Sequence, residues 1–153
     1  MQLEYLDDAK EELKRVDHLI FVSLKYTRTV DVIISIIERI LNCYEFIIDG
    51  LLQEAVDNNK LDTIPKTPVV KTELLLKFYG KDPVFKPYMD FYLLLRKVVR
   101  AKYERAREFR RHVTMTALVD EKEMEVNIDI ISDYFKRMKE FVAHIEDNYL
   151  KSR

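Results

Sequence analysis

The sequence predicts one mostly α-helical domain over residues 1–153. The architecture expected is an up-and-down bundle of four long helices plus one short helix, with a small β-hairpin near 113–126. Three observations predict it. Glycine and proline are scarce, at two and four in 153 residues, so little turn chemistry interrupts helices. Apolar residues recur at three- and four-residue steps over four long stretches. One stretch after His112 changes to a period of two. With 48% hydrophobic and 35% charged residues, the chain can bury a core and is not of disordered composition.

The first helix is expected over 3–26, where Leu6, Ala9, Leu13, Val16, Ile20 and Leu24 make one stripe. Thr29 is its successor's N-cap, with Asp31 in the first turn. That second helix, 30–57, carries two stripes. One is Ile33, Ile37, Ile40, Tyr44, Ile47 and Leu51, and the other is Ile34, Leu41, Ile48, Leu52 and Ala55. A helix apolar on two sides is central or shared with a partner, and a homodimer is expected on that ground. Gly50 within it marks a close backbone approach.

Residues 58–67 form the one obvious loop. Thr67-Pro68 starts a short helix that runs to Gly80. Asp82-Pro83 or Lys86-Pro87 opens the third long helix. The stripe Tyr88, Tyr92, Leu95, Val99, Tyr103, Ala106 and Val113 carries it to near 112. Val113, Met115, Ala117 and Val119 then alternate with Thr114, Thr116 and Leu118, which predicts the hairpin, unless the helix simply continues through. Asn127 caps a last helix, 128–150, with Ile131, Phe135, Met138, Val142, Ile145 and Tyr149 inward.

A single cysteine, Cys43, permits no internal disulfide, and the opening residues lack signal-peptide character. A reducing, cytoplasmic setting is expected. No long uncharged apolar window occurs, so no membrane span is expected. Abundant Lys, Glu, Arg and Ile with only two Gln suits a heat-adapted source.

No metal or other cofactor is expected. Walker-A, GxGxxG and GxSxG patterns cannot be built from two glycines, and HExxH is absent. Glu108 precedes His112 by four and Glu140 precedes His144 by four, so the Glu-x-x-His spacing of di-iron bundles fails. His18 and His144 fall on polar helix faces and read as solvated.

Charge is near balance overall, at −1, but it is unevenly spread. Residues 96–111 hold eight basic residues against Glu104 and Glu108. The acidic 30–57 segment holds six carboxylates against Arg39 alone. Two readings follow. The basic strip, with Arg96, Arg100, Arg110 and Arg111 on the backbone, binds the phosphates of RNA. Alternatively, the two helices neutralise one another, and the domain is a non-catalytic protein–protein interaction module or a structural dimer.

The stretch Tyr103-Glu-Arg105-Ala-Arg107-Glu-Phe-Arg-Arg-His112 resembles the Arg-x4–6-His motif of HEPN domains. The opening Leu6–Leu13 segment and the run Phe46–Leu52 are similar to that family's first two helices, and together these parts span about half the chain. The resemblance implies a small helical bundle, commonly dimeric. Active members are metal-independent ribonucleases and others are binding partners. It assigns the catalytic roles to Arg105, Arg107 and His112. An arginine offers phosphate a bidentate fork, and a histidine can move the 2′-hydroxyl proton. On a continuous helix Arg105 and His112 share a face, whereas Arg107 and His112 lie roughly 140° apart.

Overall fold

The first stripe folds as a helix with one wide turn in it. In a computed structural model of the protein, which describes residues 1–150, α1 (Leu3–His18) runs on through a π-helical turn, Leu19–Ser23, and a closing turn, Leu24–Tyr26. All six expected stripe residues are buried.

α2 (Val30–Asp57) starts where expected. The Thr29 hydroxyl accepts from the Val32 N–H at 3.3 Å, and Asp31 occupies the first turn. The helix is central, and every other helix packs on it. Its stripe residues Ile33, Ile37, Ile40, Tyr44, Ile47 and Leu51 are fully buried, and Leu41, Ile48, Leu52 and Ala55 nearly so. Ile34 of the second stripe is only partly buried, so one chain covers most, not all, of both apolar sides, and α2 leaves little surface for a homodimer. Gly50 is a close approach, as its sequence position suggests. A Cβ there would sit 2.7 Å from Met1 Sδ and 2.8 Å from Tyr5 Cβ, so α1 crosses α2 at a point with no space for a side chain.

α3 (Pro68–Tyr79) has its proline at the first helical position, but the Thr67 side chain makes no capping bond. Gly80 follows with φ −65°, not left-handed. Glycine is needed there for clearance, because a Cβ would collide with the Leu76 carbonyl oxygen.

The expected third long helix is shorter than its periodicity. α4 (Phe85–Arg100) stops at Arg100, and the chain turns extended at Ala101, with ψ 155°. Three antiparallel strands follow in sequence order: β1 (Tyr103–Ala106), β2 (Thr114–Val119) and β3 (Lys122–Val126). The hairpin expected from the period of two is thus present as β2–β3, joined at Asp120-Glu121. Both turn residues have positive φ, 50° and 65°, as a two-residue primed turn requires. Reading 101–112 as helix fails because its Arg, Glu and Ala are good helix formers. Pairing with β2, Tyr103 opposite Ala117 and Arg105 opposite Met115, overrides that propensity. The inner face of the sheet buries Met115, Ala117, Val119 and Val126 against α2 and α4.

α5 (Ile128–Tyr149) is capped by Asn127, whose Oδ1 accepts from the Ile130 N–H at 2.9 Å. It lies along α1 and α2. At the centre Tyr44 meets Phe91, Tyr92 and Phe141, with ring centroids 5.1–6.4 Å apart.

Candidate nucleic-acid interface

The strand-and-loop course of 101–113 redistributes the basic strip. Arg96 and Arg100 remain on α4. Arg96 Nη1 lies 3.4 Å from Glu45 Oε1, with the guanidinium over the Tyr92 ring, and neighbouring Lys97 pairs with Asp120 on the β2–β3 turn at 2.9 Å. Arg100 forms no ion pair among the described residues and lines a groove of about 430 Å³ beside Val69 and Leu93.

Arg105 stands on β1 facing the helices. It reaches Asp31 at the start of α2 at 2.8 Å and Glu108 at 3.6 Å, and its Nη2 donates to the Tyr103 hydroxyl. The Asp31 hydrogen bond leads the effects that raise its already high pKa. Arg105 therefore ties the sheet to α2.

Arg107, Arg110, Arg111 and His112 all sit on the loop joining β1 to β2, and all are exposed. The helical face expected to unite Arg105 with His112 is absent, since neither residue is on a helix. The loop is nevertheless built. The Arg110 N–H donates to the Arg107 carbonyl at 3.3 Å and the Val113 N–H to the Arg110 carbonyl at 3.1 Å, making two successive turns. The Thr114 hydroxyl donates to the His112 carbonyl at 2.8 Å. Two bonds fasten the loop to the start of α2: the Phe109 N–H to the Arg28 carbonyl at 2.6 Å, and the Val30 N–H to Glu108 Oε2 at 3.4 Å. Arg107 and Phe109 both take left-handed backbone angles, φ 55° and 67°, which L residues with side chains rarely adopt.

The result of that geometry is Phe109, 76% exposed, with Arg107 two positions before it in the chain and Arg110 directly after it. Neither arginine has an ion-pair partner among the described residues, while Arg111 meets Asp129 at 3.2 Å. Phe21 and Tyr26, 62% and 78% exposed, sit on the neighbouring π-turn and the turn that ends it, with Lys25 over the Tyr26 ring. One end of the molecule thus gathers three exposed aromatics and a set of cations. Phe109 was not legible as exposed: it follows Ala106 by three and precedes Val113 by four, so on a continuous helix it reads as one more member of the apolar stripe.

Of the other histidines, His18 is exposed, as expected, but His144 is not simply solvated. Its Nε2 lies 2.6 Å from Asp82 Oδ2, and the Tyr149 hydroxyl donates to the same oxygen at 2.8 Å, so the end of α5 is clasped to the turn before α4. Burial pushes the Asp82 carboxyl up. Hydrogen bonds from His144, the Val84 N–H and Tyr149 together outweigh it and hold the group below the usual carboxylate range.

Among the described residues no group of three or more His, Cys, Asp or Glu side chains could hold a metal ion, and no helix is long and apolar enough to cross a membrane. No protein-family model, curated protein or solved structure matches the chain.

Proposed function

We propose that the chain binds single-stranded RNA through the 107–112 loop, and that Arg107 and His112 give this loop its capacity for metal-independent cleavage. The observation that carries the reading is the exposed ring of Phe109, held out by a fastened loop and flanked in the chain by two unneutralised arginines. A base stacks on the phenyl face while Arg107 and Arg110 meet the flanking phosphates; such stacking on an aromatic is worth about 1–3 kcal/mol per base. Arg100 extends the phosphate track along α4. Arg105, bound to Asp31, positions the loop rather than touching RNA. The HEPN resemblance of Tyr103–His112 supports Arg107 and His112; the catalytic role it implies for Arg105 is replaced here by the tie to Asp31.

The test is binding of a labelled single-stranded RNA at two salt concentrations, followed by a gel for cleavage. Affinity should fall with salt by about 0.7 log units per phosphate contact per decade. Phe109→Ala should weaken binding about tenfold. His112→Ala should remove cleavage and spare binding. Binding without cleavage would keep the loop and discard the catalytic roles.

A second reading has its own support: Arg96, Arg105 and Arg111 are each engaged by a carboxylate within the chain. In that reading the domain is a non-catalytic protein-interaction module. Absence of RNA binding at low salt would leave it as the better account. The homodimer belongs to either reading and now rests on Phe21, Tyr26 and Phe109 rather than on α2.

A further inference from the structure

Beside the 107–112 loop lies a pocket of about 240 Å³ whose floor is the π-turn of the first helix. Its walls are apolar on one side, from Ile20, Phe21, Leu24 and Ile128, and cationic on the other, from Lys25, Arg28 and Arg111. The side chain of Arg28 is the unusual one. Its Nε is buried with no hydrogen-bond partner, and it forms no ion pair among the described residues. A buried guanidinium nitrogen left unpaired is costly, and beside an open cationic pocket a ligand that engages the guanidinium would offset that cost. The nearby carboxylates are engaged elsewhere: Asp129 with Arg111, Glu108 with Arg105 and the Val30 N–H, and Asp31 with Arg105. Among the described residues no carboxylate pairs with Arg28. The wide π-turn that brings Ile20 and Phe21 to the pocket is itself a rare conformation, found often where helices carry function.

We infer that this pocket holds the terminal phosphate monoester of a nucleotide. The choice of ligand rests on the RNA reading of the adjoining loop. A guanidinium fork matches two phosphate oxygens, and the two cations without an ion pair among the described residues, Lys25 and Arg28, match the charge of a dianion, with Arg111 shared with Asp129. The pocket exceeds what a phosphate fills and is too small for a run of nucleotides, so one sugar enters with it against the apolar wall. The Ser132 hydroxyl gives its proton to the Ile128 carbonyl at 2.8 Å, which leaves its oxygen as an acceptor for a ribose hydroxyl. An RNA whose end sits here reaches loop 107–112 with its next bases, since Arg111 belongs to both.

The experiment compares one short single-stranded RNA in three forms, with a 5′-phosphate, a 3′-phosphate, or hydroxyls at both ends, on the intact protein. One phosphorylated form should bind about tenfold tighter than the hydroxyl form, the size expected of charge-assisted hydrogen bonds. Arg28→Gln should erase that preference and leave affinity for the hydroxyl form unchanged, whereas Phe109→Ala should weaken all three. Should Arg28→Gln fail to fold, Arg111→Gln on the same wall should reduce the preference. Equal affinity for all three forms in the unaltered protein overturns the inference. If no RNA binds at all, the RNA reading fails separately, and adenosine monophosphate becomes the probe. A rise in melting temperature with the nucleotide, absent in Arg28→Gln, upholds the pocket; no rise in the unaltered protein overturns it.

Discussion

Tyr44 brings a hydroxyl into the centre of the core with no partner among the described residues. Desolvation leads the causes that raise its pKa well above the ordinary tyrosine value. An unmet buried donor costs about 1–3 kcal/mol, so Tyr44→Phe should stabilise the protein by about 1 kcal/mol, raising the thermal midpoint by about 3 °C in a calorimetric scan. Asp82 makes the opposite kind of prediction. Its folded pKa lies below that of an unfolded aspartate, roughly 3.9, so its contribution is complete above that pH and is lost as pH falls through the lower folded value. Urea midpoints should therefore drop below about pH 4 in the parent, and Asp82→Asn should start lower at neutral pH and show a flatter acid limb. Neither residue was legible in advance as anything special. Tyr44 reads as one more member of a stripe, and His144 reads as solvated because nothing local announces a partner 62 positions away. Glu12 is similar: it is buried between Arg15 and Arg39, and only the second of these contacts is long-range.

Helices with both a cap and a stripe were legible nearly to the residue. Thr29 before Val30–Asp57 and Asn127 before Ile128–Tyr149 each combine a side-chain cap with an apolar repeat, and local chemistry suffices there. The segment after Arg100 was not. No glycine, proline or asparagine marks the end of α4, and β1 has a charged, largely exposed face instead of an alternating one. What makes it a strand is β2, which lies beyond the loop. Helical periodicity hides the exposed aromatic as well, because a helix would place Arg105 with His112 and turn Phe109 inward with Ala106 and Val113. Gly50 tests the tightest helix crossing. Alanine there would gain about 1 kcal/mol in helix propensity, but overpacking costs about 1–3 kcal/mol, and Tyr5 Cβ is fixed to the α1 backbone and cannot yield by rotation. Gly50→Ala should lower the denaturant midpoint, and Gly50→Val should lower it further.

For the molecule as a whole, the single-chain core covers most of the apolar surface of α2, and the largest exposed rings are Phe21, Tyr26 and Phe109. If Phe21, Tyr26 and Phe109 form a contact between two copies, light scattering should give twice the chain mass at micromolar concentration, and Phe109→Ala should return it to the single mass. A single mass in the unaltered protein would leave the three rings free for ligands and remove the dimer. The packing of α5 along α1 carries a different consequence. α1 is completed by a helix that follows the whole sheet in the chain. On the ribosome α1 can dock on α2 early, but one flank of its stripe stays wet until α5 emerges. The sheet lies between them in sequence and pairs through short connections, a two-residue turn and the 107–113 loop, so it can form before α5 is available. The chain is thus most exposed to proteases and to wrong associations in the interval between the emergence of α2 and that of α5.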